Sequence, residues 1–147
     1  MARRAALASG AGVEKLRAII EFQGGNPAVV DDYGRLPAAP DRHDVTAQRS
    51  GYVSALQAEL IGRAAVALGA GRARLDDVID PGVGIEVMAR VGAPVRGGET
   101  VLSVHHRAGR GLSDAAPMLA EAVQIDDAPP LMGPVVVDRV PHSFRGN

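Results

Sequence analysis

The chain has 147 residues, of which 46% are hydrophobic, and its formal net charge is −1. This length suits one domain with a core, or a small domain with an appendage, and the composition is that of a folded protein. The charge balance leaves no electrostatic footprint for nucleic acid or a membrane surface. The sequence has no cysteine, which excludes disulfides, zinc-thiolate sites and thiol nucleophiles.

The first predicted element is a helix from Val13 to Phe22, where apolar residues recur at helical spacing between charged ones. Gly24-Gly25 ends it, because glycine readily adopts the left-handed conformation beyond a last turn. A short turn follows at Pro27 to Val30, and Arg35 to Pro40 reads as an extended connection because proline disfavours helix. We place a domain boundary here, between residues 1–37 and 38–147.

Beyond this boundary short strands alternate with helices. The pattern predicts, in chain order, a strand at His43 to Ala47, a turn at Arg49 to Gly51, a strand at Tyr52 to Leu56, a helix from Leu56 to Leu68 ended by Gly69-Ala70-Gly71, a turn at Val78 to Gly82 and a strand from Gly84 to Val91.

The segment from Val91 to Val104 has two glycine-bearing turns beside short apolar runs, which predicts small strands that reverse sharply. A last helix is predicted from Ser113 to Gln124, with Ser113 as its cap and Pro117 in its first turn. Leu119, Ala122 and Val123 would face inward, and a final strand is predicted from Pro134 to Val140. The predicted fold class is therefore α+β.

Several polar residues invite a functional interpretation, and each favours a structural one. His105 and His106 are adjacent, so on a strand they point to opposite faces and would be surface or edge residues rather than joint metal ligands. His43, beside Arg42 and Asp44, is expected to have a structural or solvated role. Asp76, Asp77 and Asp80 lack the spacing of a calcium loop and are expected to bond local backbone N–H groups.

The hydroxyl and glycine motifs are equally weak. Five serines lie outside any nucleophile-elbow sequence: Ser50, Ser54, Ser103, Ser113 and Ser143. Gly10-Ala11-Gly12 has no phosphate-loop pattern, and Gly69-Ala70-Gly71-Arg72 is better explained by helix termination than by anion binding. Val91 to Val104 is similar to biotinyl and lipoyl carrier barrels, but those carry a lysine at a hairpin tip. Here the only lysine is Lys15, so a carrier function is excluded while the barrel architecture is supported.

An ordered set of motifs identifies the chain more specifically than any one of them. The set consists of Val13-Glu14-Lys15-Leu16, Gln23-Gly24-Gly25-Asn26-Pro27, Arg49-Ser50-Gly51-Tyr52-Val53, Gly62-Arg63-Ala64-Ala65-Val66, Gly69-Ala70-Gly71-Arg72 and Ile79-Asp80-Pro81-Gly82-Val83-Gly84-Ile85, followed by the barrel segment. In this order they resemble the C-terminal third of the pyrimidine-nucleoside and thymidine phosphorylases, across about residues 8 to 140.

The resemblance implies a sandwich-hybrid, hammerhead-like barrel domain at 38–147, with short strands and two to three helices, preceded by a helical remnant of a larger α/β domain at 1–37. Members of this pentosyltransferase family convert thymidine or uridine and phosphate into free base and (deoxy)ribose 1-phosphate, usually as homodimers. The expected location is cytoplasmic, with which the absence of cysteine is compatible. Their phosphate loop and base-binding residues lie in two earlier domains, and no such loop occurs here.

We therefore expect no catalytic, cofactor-binding or metal-binding residue in this chain, and no activity from the chain alone. Its expected partner is the remainder of a phosphorylase, and its expected role is to pack on the α/β lobe. Truncation by cloning, by the assigned gene start or by gene decay would account for the missing domains. The alternative is a free-standing, non-catalytic interaction module with a biotinyl- or lipoyl-like barrel. The preference for thymidine or uridine cannot be deduced, because the selecting residues lie elsewhere.

Overall fold

The computed structural model describes residues 5, 8–134, 136 and 138. The chain divides into two compact units, residues 1–39 and 40–147. The predicted strand at Pro134 to Val140 lies largely outside the described residues.

The first unit is helical. Helix α1 spans Ala11–Phe22, and it is followed by two short 3₁₀ helices at Pro27–Val30 and Tyr33–Arg35. Gly24 has a φ of 78° beyond the end of α1, so the predicted glycine stop is confirmed. Arg17 on α1 donates two hydrogen bonds to the Asp31 carboxylate, at 2.8 and 2.9 Å, and ties the helix to the turn that follows.

The second unit contains all six strands and two further helices of the described chain. In order they are β1 (Asp41–Thr46), β2 (Gly51–Leu56), α2 (Ala58–Leu68), β3 (Gly84–Val87), β4 (Pro94–Val95), β5 (Thr100–His106), α3 (Leu112–Ala122) and β6 (Val123–Asp126). The α+β class is thereby confirmed.

The strands form two separate antiparallel sheets of three strands, with the orders β1-β5-β3 and β4-β2-β6. Consecutive strands β1 and β2 therefore lie in different sheets. Among the described residues the two sheets do not close into one barrel, because no ladder of backbone hydrogen bonds joins them. The core of the unit includes fully buried Val53, Leu68, Leu102 and Leu119.

Several element boundaries differ from the sequence prediction by a few residues. Strand β3 ends at Val87 rather than Val91. The N–H groups of Met88 and Ala89 both donate to the carbonyl of Val101, at 2.9 and 3.2 Å, so the chain bends away from the ladder. The strand β6 was not predicted: Val123 has extended dihedral angles that end α3 at Ala122 and begin the strand.

The start of α3 also differs. Gly111, not Ser113, is the N-cap, with a φ of 68°, and no side chain caps the helix. Pro117 lies inside the helix, beyond its first turn. Because proline has no N–H, it cannot donate to the carbonyl of Ser113. Ser113 is exposed, so water can satisfy that carbonyl and the helix tolerates the proline. Leu119 and Ala122 are fully buried, as predicted.

Candidate interaction surfaces

The two adjacent histidines lie at the end of β5, the central strand of its sheet. His105 is partly exposed, with Nε2 3.6 Å from the Glu86 carboxylate. His106 is only 8% exposed. The expectation of surface or edge histidines is therefore wrong for His106, whose ring contacts the loop that follows β5 through a hydrogen bond from Gly109.

His106 fastens the loop that follows its strand. Its Nδ1 accepts a hydrogen bond from the N–H of Gly109 at 3.2 Å. Asp41, its cross-strand partner on β1, accepts another from the N–H of Ala108 at 2.7 Å. Ala108 has a φ of 52°, a left-handed conformation that is uncommon for a residue with a side chain. His106 and Asp41 therefore stabilise a tight loop, and these contacts are structural.

His43 lies exposed on β1. Its neighbours pair with each other: Arg42 Nε donates to Asp44 Oδ1 at 2.8 Å. This guanidinium holds the pKa of the Asp44 carboxyl below its ordinary value. The arrangement is a surface ion pair within one strand, and the exposure of His43 agrees with the solvated role expected from the sequence.

Two of the three aspartates in the loop after α2, Asp77 and Asp80, bond backbone N–H groups as predicted, whereas Asp76 is exposed and forms no such bond among the described residues. Asp77 accepts from the N–H groups of Ala73 and Arg74, at 3.0 and 2.8 Å. Asp80 accepts from the N–H of Gly82 at 3.0 Å and from Arg107 Nε at 2.8 Å. Within the described part of the chain, no group of three or more His, Asp or Glu side chains could hold a metal ion.

The glycine motifs have structural explanations. Gly69 ends α2 with a φ of 97°, and the N–H groups of Gly69 and Ala70 donate to the carbonyls of Val66 and Ala65, both at 3.0 Å. This pair of hydrogen bonds is a Schellman motif, so helix termination is confirmed. Gly10 is the left-handed N-cap of α1.

The serines do not gather into a site. Ser50 accepts a hydrogen bond from the N–H of Gly97 at 3.0 Å. The hydroxyl oxygens of Ser54 and Ser103 are buried and have no hydrogen-bond partner among the described residues. Ser113 is exposed in α3, and Ser143 lies outside the described residues. No helix in the described part is long and apolar enough to cross a membrane.

Two apolar surfaces remain, and the first belongs to α1. This helix has no buried residue. Leu16, Ile19 and Phe22 are 50%, 42% and 93% exposed, and Val13 is 48% exposed. At about 100° per residue, these apolar side chains span about half of the helix circumference. We call the surface formed by these four residues the α1 face.

The second surface is a groove of about 540 Å³ on the outer side of α2, in the second unit. Its residues are mostly small or apolar: Ala58, Glu59, Gly62, Arg63, Val66, Ala67, Ala73 and Met118. We call it the α2 groove. The α2 groove was not predicted from the sequence, because it depends on the placement of α3 and of the loop beyond α2. An exposed glycine in a helix was the one available signal.

Comparison with known proteins identifies the class. Residues 52–126, which run from β2 to β6, match the family model described as the pyrimidine nucleoside phosphorylase C-terminal domain. The chain is 35% identical over 136 residues to the pyrimidine-nucleoside phosphorylase of Staphylococcus aureus strain MSSA476. It is 35% identical over 135 residues to the protein of the same name from strain USA300.

The matched residues cover more than half of the chain, which therefore belongs to the family of pyrimidine nucleoside phosphorylase C-terminal domains. The alignments cover 90% and 92% of this chain but only 31% and 30% of the two relatives. The chain thus spans about a third of the length of the curated relatives that it matches. Nothing in these comparisons favours the alternative of a free-standing barrel module.

Proposed function

We propose that this chain serves as the C-terminal part of a pyrimidine-nucleoside phosphorylase, an enzyme that converts a nucleoside and phosphate into base and pentose 1-phosphate. One observation carries the proposal: the chain aligns along 90% of its length with a phosphorylase of which it covers 31%. Its role in that enzyme is structural, and the reaction takes place in the preceding domains.

The chemistry of the reaction supports this division. Phosphorolysis requires a cradle of donors for inorganic phosphate and groups that stabilise the charge on the departing base. It also requires the two reactants to be held in line. In the described chain Asp41, His106, Asp77 and Asp80 stabilise turns and Gly69 ends a helix, which is how a structural domain uses such residues.

The first unit has a separate place in this proposal. Helix α1 presents a wide apolar face that nothing in its own unit buries. We assign residues 1–37 to the end of the α/β domain, whose remaining elements would cover the α1 face. Residues 38–147 then form the C-terminal domain, and the complete enzyme acts in the cytoplasm, to which the absence of cysteine is suited.

A chimera tests the proposal directly. In it, this chain replaces the matching C-terminal part of the Staphylococcus aureus enzyme, and release of uracil from uridine is measured with and without phosphate. We expect phosphate-dependent release from the chimera and none from the same enzyme cut at the junction. If the chimera folds but releases no more base than the cut enzyme, the proposed function is wrong.

A further inference from the structure

We propose that the α2 groove is the surface on which the preceding part of the phosphorylase chain docks. The inference rests on the proposed function and adds to it a location, since it names the side of the second unit that the rest of the enzyme covers. It is independent of the α1 face, which lies in the other unit.

The groove lies on the side of α2 that its own unit leaves open. Ala64 and Leu68 are fully or almost fully buried on the inner side of the helix. On the outer side Gly62 and Val66 are exposed, one helical turn apart. The helix therefore packs on one side only, and its opposite side forms the floor of the groove.

Gly62 has no intramolecular reason to be glycine. It lies in the interior of α2, its φ is not positive, and a Cβ built on it would meet nothing within 4 Å. Glycine in a helix interior costs about 0.5–1 kcal/mol relative to alanine. A backbone or bulky side chain that approaches α2 closely from outside the described chain would offset that cost.

The walls of the groove are held in place. Ala73 forms one side, and its N–H is bonded by the Asp77 carboxylate at 3.0 Å. Met118 of α3 lies on another side, and α3 is itself packed against α2. An open, mostly apolar groove whose wall is ordered by hydrogen bonds loses less conformational entropy on binding than one lined by a free loop. Glu59 and Arg63 bring one charge of each sign, so the groove repels neither sign of partner.

The proposed occupant of the α2 groove follows from the length of the related phosphorylases. This chain covers 31% of the matched phosphorylase, so the part that precedes it is about twice as long as the chain itself. The family match includes all of α2 and α3, which makes the groove part of the phosphorylase domain. A groove of about 540 Å³ accommodates the apolar side chains of a helix or turn, and that preceding part is the covalently joined source of one.

Thiol labelling tests this location. The chain has no cysteine, so Gly62→Cys introduces a single thiol in the groove. Gly133→Cys is the matched control, because Gly133 is exposed and a Cβ there also meets nothing within 4 Å. Both variants are labelled as isolated chains and within the chimera, and peptide mass spectrometry reports the rate at each position.

We expect both thiols to react at similar rates in the isolated chain, and the thiol at 62 to react at least about tenfold more slowly in the chimera. Equal rates at 62 in the two proteins would overturn the proposal. The proposal would also be overturned if the thiol at 62 in the isolated chain were labelled more slowly as the protein concentration rose, because a second copy of the chain would then be the occupant.

A second variant at the same position tests the proposal without thiol labelling, in case Gly62→Cys does not fold. Gly62→Leu fills the groove, so we expect it to lower the unfolding midpoint of the chimera while leaving that of the isolated chain unchanged or raised. An equal effect on both proteins would contradict docking. If the chimera releases base but the thiol at 62 stays as reactive as in the isolated chain, only docking on the α2 groove is refuted. A chimera that folds and releases no base refutes the proposed function.

Discussion

Gly111 lies directly against the backbone of Ala67, and this contact joins α3 to α2. A Cβ built on Gly111 would be 2.0 Å from the carbonyl oxygen of Ala67 and 3.1 Å from Cα of Leu68. Gly111 also has a φ of 68°, which strains any residue with a side chain. The position therefore combines two independent demands for glycine.

We expect Gly111→Ala to lower the free energy of unfolding of the isolated chain by about 2–4 kcal/mol, because the new methyl group forces apart two backbones and occupies a strained conformation. Urea denaturation followed by circular dichroism measures the change. Gly62→Ala is the control, and it should stabilise the chain by about 0.5–1 kcal/mol because it adds a helix-forming residue in open space. Equal effects at the two positions would contradict the close contact.

Asp80 should make stability depend on pH in the acid range. The Arg107 guanidinium, helped by the N–H of Gly82, holds the pKa of the Asp80 carboxyl below its ordinary value of 3.8. A carboxyl whose folded pKa is lowered stabilises the protein above its unfolded pKa, and this contribution is lost as the pH falls through the folded pKa. Asp80→Asn should therefore lower the unfolding midpoint at pH 7 and lower it progressively less below about pH 4.

The control for this measurement is Asp76→Asn, which removes the same charge from the same loop. Asp76 is exposed and makes no hydrogen bond or ion pair among the described residues. We expect the difference between Asp76→Asn and the unchanged chain to be small at every pH. A pH profile of Asp80→Asn that runs parallel to that of the unchanged chain would show that the Arg107 contact does not contribute.

Phe22 should respond differently in the isolated chain and in the complete enzyme. It is 93% exposed in the isolated chain, so Phe22→Ala should change the free energy of unfolding there by less than about 0.5 kcal/mol. In the chimera the α1 face is expected to be covered, and truncation of a buried phenylalanine costs about 3–5 kcal/mol locally. The unfolding midpoint of the chimera should therefore fall.

Glu21→Ala is the matched control, since Glu21 is the neighbouring exposed position on the charged side of α1. It should leave both proteins unchanged. If Phe22→Ala also leaves the chimera unchanged, the α1 face is not covered by the preceding domain, and residues 1–37 do not belong to it.

Local sequence patterns were sufficient to predict the helices and most of the strands. Apolar spacing predicted α1 and α2, and the glycines after each helix predicted the ends, because these signals act within a few residues. The pairing of strands was not accessible in this way. Asp41 pairs with His106, which lies 65 positions further along the chain, and only such long-range pairing, with β1 on one side and β3 on the other, shows that β5 is central.

The candidate surfaces were harder to predict than the fold. The apolar spacing of α1 is visible in the sequence, and the resemblance to the phosphorylases implied that this helix belongs to a larger α/β domain. The α2 groove depends on where α3 and the loop at Ala73 come to lie, so a glycine inside a predicted helix, Gly62, was its only sign in the sequence. The overlooked strand β6 has only four residues, too short for its alternation to stand out from the end of α3.

The most direct test of the whole account is to incubate the pure 147-residue chain with uridine or thymidine and inorganic phosphate, and to follow free base by chromatography beside an equal amount of the chimera. We predict base release above the enzyme-free rate from the chimera alone. Phosphate-dependent release by the isolated chain at a rate comparable with that of the chimera would contradict the account, because it would place a complete active site within these residues.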